Sequence, residues 1–229
     1  MPVIEGAAVR LRNDVVIDLV SDVVCPWCYI GKRKLETALA ELRRRDPAAE
    51  PSVRWHPFQL NPDLPPQGIP RNAYLHAKFG GQTRAAEIYA RVKAVGTEVG
   101  IAFDFDRIEI QPNTLAAHRL IAWAQEREDA GSTSDLVERL FQAYFLQGRA
   151  IGEPDELARI ASEAGLELAA AQAMLASTEN LAAVSAEDRE ARNVGINGVP
   201  FFIFNGGTAL SGAHDPGTLL EAIAAARSQ

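Results

Sequence analysis

The sequence predicts an α/β fold carrying a large helical insertion, and three observations lead there. A short, β-branched apolar run, Val15-Val16-Ile17-Asp18-Leu19-Val20, stands near the start of the 229 residues. A second, Val199-Pro200-Phe201-Phe202-Ile203-Phe204, stands near the end. Between them roughly half the chain spaces its apolar residues as helices do, with no flexible linker at either edge.

The first run reads as a strand buried on both faces, because it lacks polar alternation. It leads through Ser21-Asp22-Val23-Val24 into Cys25-Pro26-Trp27-Cys28. Leu35, Leu39 and Leu42 then recur at helical spacing across Tyr29 to Arg45. Pro26 suits the first helical turn, where a missing N–H leaves nothing unpaired. The cysteines are therefore expected at a helix N-terminus, just beyond a strand. A second strand is expected over Ser52 to Phe58, and the Pro-rich stretch 61–70 as an extended connection. From Arg71 to about Gly195 the chain is mostly helical, with segments at 82–100, 114–130, 134–147, 154–165, 167–176 and 179–194. The stretch 104–112, DFDRIEIQP, is the one extended interruption. After the late strand, Asn205-Gly206-Gly207 turns the chain into a short partner at 208–211, and Asp215-Pro216 caps a last helix over 217–227.

Composition removes several classes of function. With 23 basic and 30 acidic side chains the net charge is −7, which argues against nucleic acid. No run of 18 apolar residues occurs, so no membrane span is expected. Residues 1–14 place Arg10 and Arg12 where an export signal needs its apolar centre, so the cytosol is the expected compartment. Two cysteines cannot build a disulfide scaffold.

A C-x-x-C pair has three readings. Half of a zinc site needs two further ligands at short spacing, yet His56, His76, His118 and His214 are scattered singly. An inert, merely buried pair is possible, since positions i and i+3 of a helix lie close together. The third is a redox dithiol: a helix N-terminus offers unpaired N–H groups and the positive end of the dipole, both favouring thiolate. In that reading Cys25, nearer the loop, is the exposed nucleophile, and Cys28, one turn along, resolves the mixed disulfide. Trp27 adds an apolar wall without a titrating charge. Pro200 needs a reason at the start of a strand. A cis bond would turn the backbone of Val199 toward the cysteine loop, where it can pair with an extended peptide or glutathione; trans-Pro on an edge strand is the plainer alternative.

The motif Cys25-Pro26-Trp27-Cys28-Tyr29-Ile30-Gly31 after a buried strand, with the late Gly198-Val199-Pro200-Phe201-Phe202, resembles the thioredoxin-fold DsbA family, and within it the cytoplasmic FrnE-like branch. Phe105-Asp106-Arg107-Ile108, Pro112 to Arg119 (PNTLAAHR) and Leu210-Ser211-Gly212-Ala213-His214 match as well, so the resemblance spans residues 15 to 229. It implies a thioredoxin-like fold made of residues 14–61 and 178–229, with a helical domain inserted at 62–177. It also implies a cis-Pro200 facing the dithiol, with Pro26, Trp27, Val199 and Pro200 lining the substrate site. No resident cofactor or metal is implied: the redox group is the Cys25–Cys28 disulfide itself, with glutathione as a possible exchange partner. Periplasmic DsbA proteins carry a histidine between the cysteines where this chain has Trp27, which weakens an oxidase; in a reducing cytosol the pair rests largely as thiols, favouring reduction or isomerisation of wrong disulfides, with a disulfide-containing protein or a small thiol as exchange substrate. Kappa-class glutathione transferases and hydroxychromene-carboxylate isomerases resemble the chain around Asn113 but use serine where it has Cys25. A glutathione-dependent isomerase or transferase is thus the alternative, and a non-catalytic, chaperone-like binding protein a second one.

Other residues have plainer uses beside functional ones. Asp18 and Asp22 could relay the proton of the buried cysteine, or merely be solvated or capping. Asn113 and Thr114 precede a helix and suit an N-cap, with lining the cleft as the functional alternative for both. His118 reads as a structural histidine, His214 as a turn-orienting one, and Arg43-Arg44-Arg45 as a solvated helix end.

Overall fold

A computed structural model describes residues 15–127 and 130–228. The N-terminal segment, expected to lack an export signal, lies outside them, as do residues 128 and 129 of the expected 114–130 helix. Strand β1 (Val16–Ser21) leads into helix α1 (Pro26–Arg45), which returns to strand β2 (Ser52–Pro57). β1 and β2 are parallel, so the crossover helix the sequence offered is required. The chain comes back at β5 (Phe201–Phe204), antiparallel to β1, and folds over into β6 (Thr208–Ser211). The sheet order is β2-β1-β5-β6, which puts β1 and β5 in its centre. That position explains the unbroken apolar text of both: Ile17, Leu19, Phe202 and Phe204 are all fully buried. Helix α9 (Pro216–Arg227) packs on α1 and on β5 and β6. Asp215 stands at its N-cap as expected but makes no capping bond; its carboxylate pairs with Lys34 at 2.7 Å.

Between β2 and β5 lie α2 (Arg71–Phe79), α3 (Gln82–Glu98), α4 (Leu115–Gln125), α5 (Ala130–Phe145), α6 (Pro154–Glu163), α7 (Leu168–Ala176) and α8 (Leu181–Asn193). Two expectations need correction. The Pro-rich connection ends in a strand, β3 (Ile69–Pro70), which pairs antiparallel with β4 (Ile110–Gln111) as a separate small sheet. The stretch 104–112 is extended only in part: Phe105–Arg107 forms a 3₁₀ turn that buries Phe105 among Phe103, Tyr89 and Phe145. The chain has the expected α/β architecture, a four-stranded sheet interrupted by a helical block.

The block is joined to the sheet by packing rather than by linkers. Tyr29, the residue after Cys28, stacks on Phe141 of α5 at 4.9 Å and meets Phe103 edge-on. Its hydroxyl donates to Glu138, which also accepts from Lys32 at 2.7 Å and pairs with Arg33. One buried apolar cluster therefore runs from Ile17, Leu35 and Phe202 through Phe103 and Phe141 to Leu175. No helix among the described residues is long and apolar enough to cross a membrane.

Candidate active site

Strand β1 ends at Ser21, and Asp22 to Val24 turn the chain so that Cys25 becomes the N-cap of α1 with Pro26 as its first residue. Cys28 and Tyr29 donate their N–H groups to the Cys25 carbonyl, at 3.0 and 3.3 Å, so the helix closes directly on the first cysteine. Both cysteines are free thiols. The sulfur of Cys25 makes no capping bond; its S–H donates instead to the Val199 carbonyl, 3.5 Å away. The expectation of an exposed Cys25 is corrected here: only 4% of it is accessible, because the backbone of Val199 lies over the sulfur. Trp27 is the exposed member of the motif, at 40%.

Cys28 is wholly buried, and burial pushes its thiol well above the usual range. The neighbouring Cys25 sulfur pushes it further, while hydrogen bonds from the Ser21 hydroxyl and the Asp22 backbone amide pull less strongly the other way. The Val199–Pro200 peptide bond is cis. The strand that follows pairs on both sides, so the edge-strand placement considered for Pro200 does not hold. Gly31, one turn beyond Cys28, lets α1 approach this proline: a Cβ there would stand 2.9 Å from Pro200 Cγ and 3.3 Å from Phe202 Cζ.

The remaining candidates fall into two groups. Asp22 is buried against the dithiol, but its carboxylate is engaged elsewhere: it accepts the Leu60 N–H at 2.7 Å and lies 3.4 Å from Nε2 of the buried His118. Thr114 is the N-cap of α4 but makes no side-chain capping bond; one residue earlier, Asn113 Oδ1 accepts from the Leu115 amide at 2.9 Å and from the Gln59 side chain at 3.1 Å. Asp18 is turned to β2, where Arg54 and His56 hold it at 2.6 and 2.8 Å. Burial raises the Asp18 carboxyl, but those two partners together bring it below its ordinary value. His214 bonds the Ser211 carbonyl and orients a turn.

Sequence reasoning missed Ser21, Gly31, Gln59 and Asp188. Only Asp188 carried a legible signal: it follows Val184 by four residues on the buried side of α8, an acid in an apolar stripe.

A DSBA-like thioredoxin domain model matches residues 16–224. The chain belongs to that family. Among solved structures, the probable DsbA oxidoreductase SCO1869 from Streptomyces coelicolor is similar at 29% identity and a TM-score of 0.82, with 94% of this chain and 91% of that one covered. The uncharacterized protein YwbO of Bacillus subtilis (strain 168) is 28% identical over 198 residues, 86% of this chain and 90% of its own length. The cytosolic disulfide reductase DsbM from Pseudomonas aeruginosa, solved with GSH, shares the fold at 19% identity and a TM-score of 0.59, covering 93% and 96% of the two chains.

Proposed function

We propose that the chain is a thiol–disulfide oxidoreductase of the FrnE-like type that reduces or isomerises protein disulfides in the cytosol, with glutathione as its exchange partner. The observation that carries this is the dithiol at the head of α1 with the Val199 carbonyl on Cys25, 3.5 Å from its sulfur. Cys25, as thiolate, attacks one sulfur of the substrate disulfide, forming a mixed disulfide and releasing the other substrate sulfur, which takes up a proton. Cys28 then gives up its proton and attacks Cys25, closing the Cys25–Cys28 disulfide and releasing the second substrate thiol. The substrate gains two electrons and the dithiol loses two; two glutathione molecules restore it.

The neighbours of Cys28 put these steps in order. While Cys25 is free, its sulfur helps keep Cys28 protonated. Once that sulfur is bound in a mixed disulfide it carries no charge, and the contribution vanishes. Burial remains, and so do the opposing bonds from Ser21 and the Asp22 amide. The resolving thiol thus becomes easier to ionise only after there is something to resolve. Pro26, Trp27, Val199 and Pro200 form the substrate face, while Asp22 and Asn113 hold the loop beneath it.

The test is insulin-disulfide reduction driven by dithiothreitol. Cys25→Ser should abolish it, and Cys28→Ser should accumulate substrate linked through Cys25. Equal activity in the wild type and both variants overturns the reading. Small-molecule isomerisation that survives Cys28→Ser would point to a glutathione-dependent isomerase instead.

A further inference from the structure

Two adjacent backbone amides beside the active site are each held by a buried carboxylate. The Gln59 N–H donates to Asp188 Oδ1 at 2.7 Å, and the Leu60 N–H donates to Asp22 Oδ2 at 2.7 Å. Asp188 is 5% accessible and Asp22 is fully buried. Carboxylates leave water at a cost, recovered only where charge-assisted bonds of this kind are made. Apolar packing alone does not call for two of them side by side.

The two acids belong to opposite sides of the Cys25–Val199 contact. Asp22 is tied to the cysteine side, its carbonyl accepting the Cys25 N–H at 3.0 Å. Asp188 is on α8, the helix that runs directly into Val199-Pro200, and the Ile196 N–H bonded to the Ala191 carbonyl at 3.0 Å fixes the turn between. Arg192, one turn beyond Asp188, pairs with it at 3.1 Å, donates to the Gln59 carbonyl and lies over the Phe58 ring at 4.2 Å. Phe58, Ile196 and Val20 form a small apolar cluster against which Val199 and Leu60 pack. Residues 58–60 are thus a bridge with one end on each half of the site.

Building on the thiol–disulfide reading above, we propose that the Asp188–Arg192 grip on Gln59, with Asp22 on Leu60, positions the Val199 carbonyl for substrate backbone and so makes the enzyme prefer peptide disulfides to small ones. In the resting protein the Val199 carbonyl accepts the Cys25 S–H. In a mixed disulfide Cys25 has no proton to donate, and the carbonyl is free to accept a substrate N–H. A peptide supplies a backbone N–H there; hydroxyethyl disulfide has no backbone, only a hydroxyl on a freely rotating arm. Asp188 and Arg192 are positioning residues, and their loss should be felt only by the substrate with a backbone.

The experiment compares insulin with hydroxyethyl disulfide, both with dithiothreitol as terminal reductant. Asp188→Ala should raise KM for insulin about tenfold with kcat held within about twofold, the worth of one charge-assisted hydrogen bond. The kcat/KM for hydroxyethyl disulfide should stay unchanged, and Asp188→Asn, which keeps an acceptor oxygen for Gln59, should restore most of the insulin KM. Arg192→Met, which retains cover over Phe58 but loses the donor to Gln59, gives the same selective loss if Asp188→Ala folds poorly. Equal losses on both substrates, or none on either, overturn the proposal while Cys25-dependent turnover leaves the oxidoreductase reading standing. Absence of Cys25-dependent turnover in the wild type overturns both.

Discussion

At Gly31 a single hydrogen atom in place of a side chain lets α1 close on Pro200. An added methyl meets Pro200 Cγ at 2.9 Å, closer than packed carbons tolerate, and Phe202 behind it is in the sheet centre and cannot retreat. Gly31→Ala should cost about 1–3 kcal/mol in a urea melt, the usual penalty of overpacking, and raise KM for insulin by displacing the proline. A variant with wild-type stability and KM would mean that the contact has slack. Cys28 carries a second prediction. Its thiol is pushed up, first by burial and then by Cys25, so the protonated form persists through neutrality. In the Cys25 mixed disulfide burial alone still holds the thiol up, so release of substrate from it should quicken about tenfold per pH unit across neutrality, while Cys28 stays mostly protonated. Stopped-flow decay that is flat between pH 6 and 8 would contradict it. The cysteines were legible because they are the only two and share a recognisable spacing. The role of Gly31 was not, because it is defined by Pro200 approaching from a distant part of the chain; Asp188 showed as an acid in an apolar stripe, but its partner Gln59 did not.

Elements with a period of their own were readable; those without one were not. Helices α3 to α8 repeat apolar residues over several turns, which sequence displays directly. Strands β3 and β4 are two residues each, too short to show alternation, and exist because Gln111 and Ile110 meet Ile69 and Pro70 in space. The seating of α8 against the sheet was likewise hidden. There His56 of β2 bridges Asp18 of β1 at 2.8 Å and Glu187 of α8. Burial lowers the His56 imidazole, but Glu187 and Asp18 outweigh it and leave the group above 6.5. A raised histidine stabilises the fold fully below its unfolded value and loses that contribution as pH climbs through the folded one. His56→Gln should therefore lower the melting temperature more at pH 6 than at pH 9. A gap that widens on the alkaline side would show that the bridge holds without its charge. Asp18, held low, keeps its contribution above its ordinary value of 3.8 and loses it only in acid.

The molecule as a whole bears on whether the insertion proposed for residues 62–177 is a separable domain. The buried cluster passes from the sheet through Tyr29 into α5 without a break, and Glu138 gathers Tyr29, Lys32 and Arg33 of α1 onto the helical block. Burial raises the Glu138 carboxyl, yet the two cations and the Tyr29 hydroxyl hold it below its ordinary value, so it is the charged form that joins the halves. Sequence pattern marks which faces are apolar but not that one acid serves three residues a hundred positions away, so the joint was invisible before the fold was known. Glu138→Ala leaves Lys32 buried with only Glu36 as partner, and breaking a buried pair in this way should cost about 3 kcal/mol. In a chain of this size that is a fall of about 6–12 °C in Tm. If the halves form one cooperative unit, fluorescence and far-UV circular dichroism will report a single transition before and after the substitution. The three tryptophans make the measurement possible: Trp27 and Trp55 sit by the sheet and Trp123 in α4. A variant in which the tryptophan and backbone signals separate would mean that Glu138, rather than the shared aromatic core, was what made the two halves melt together.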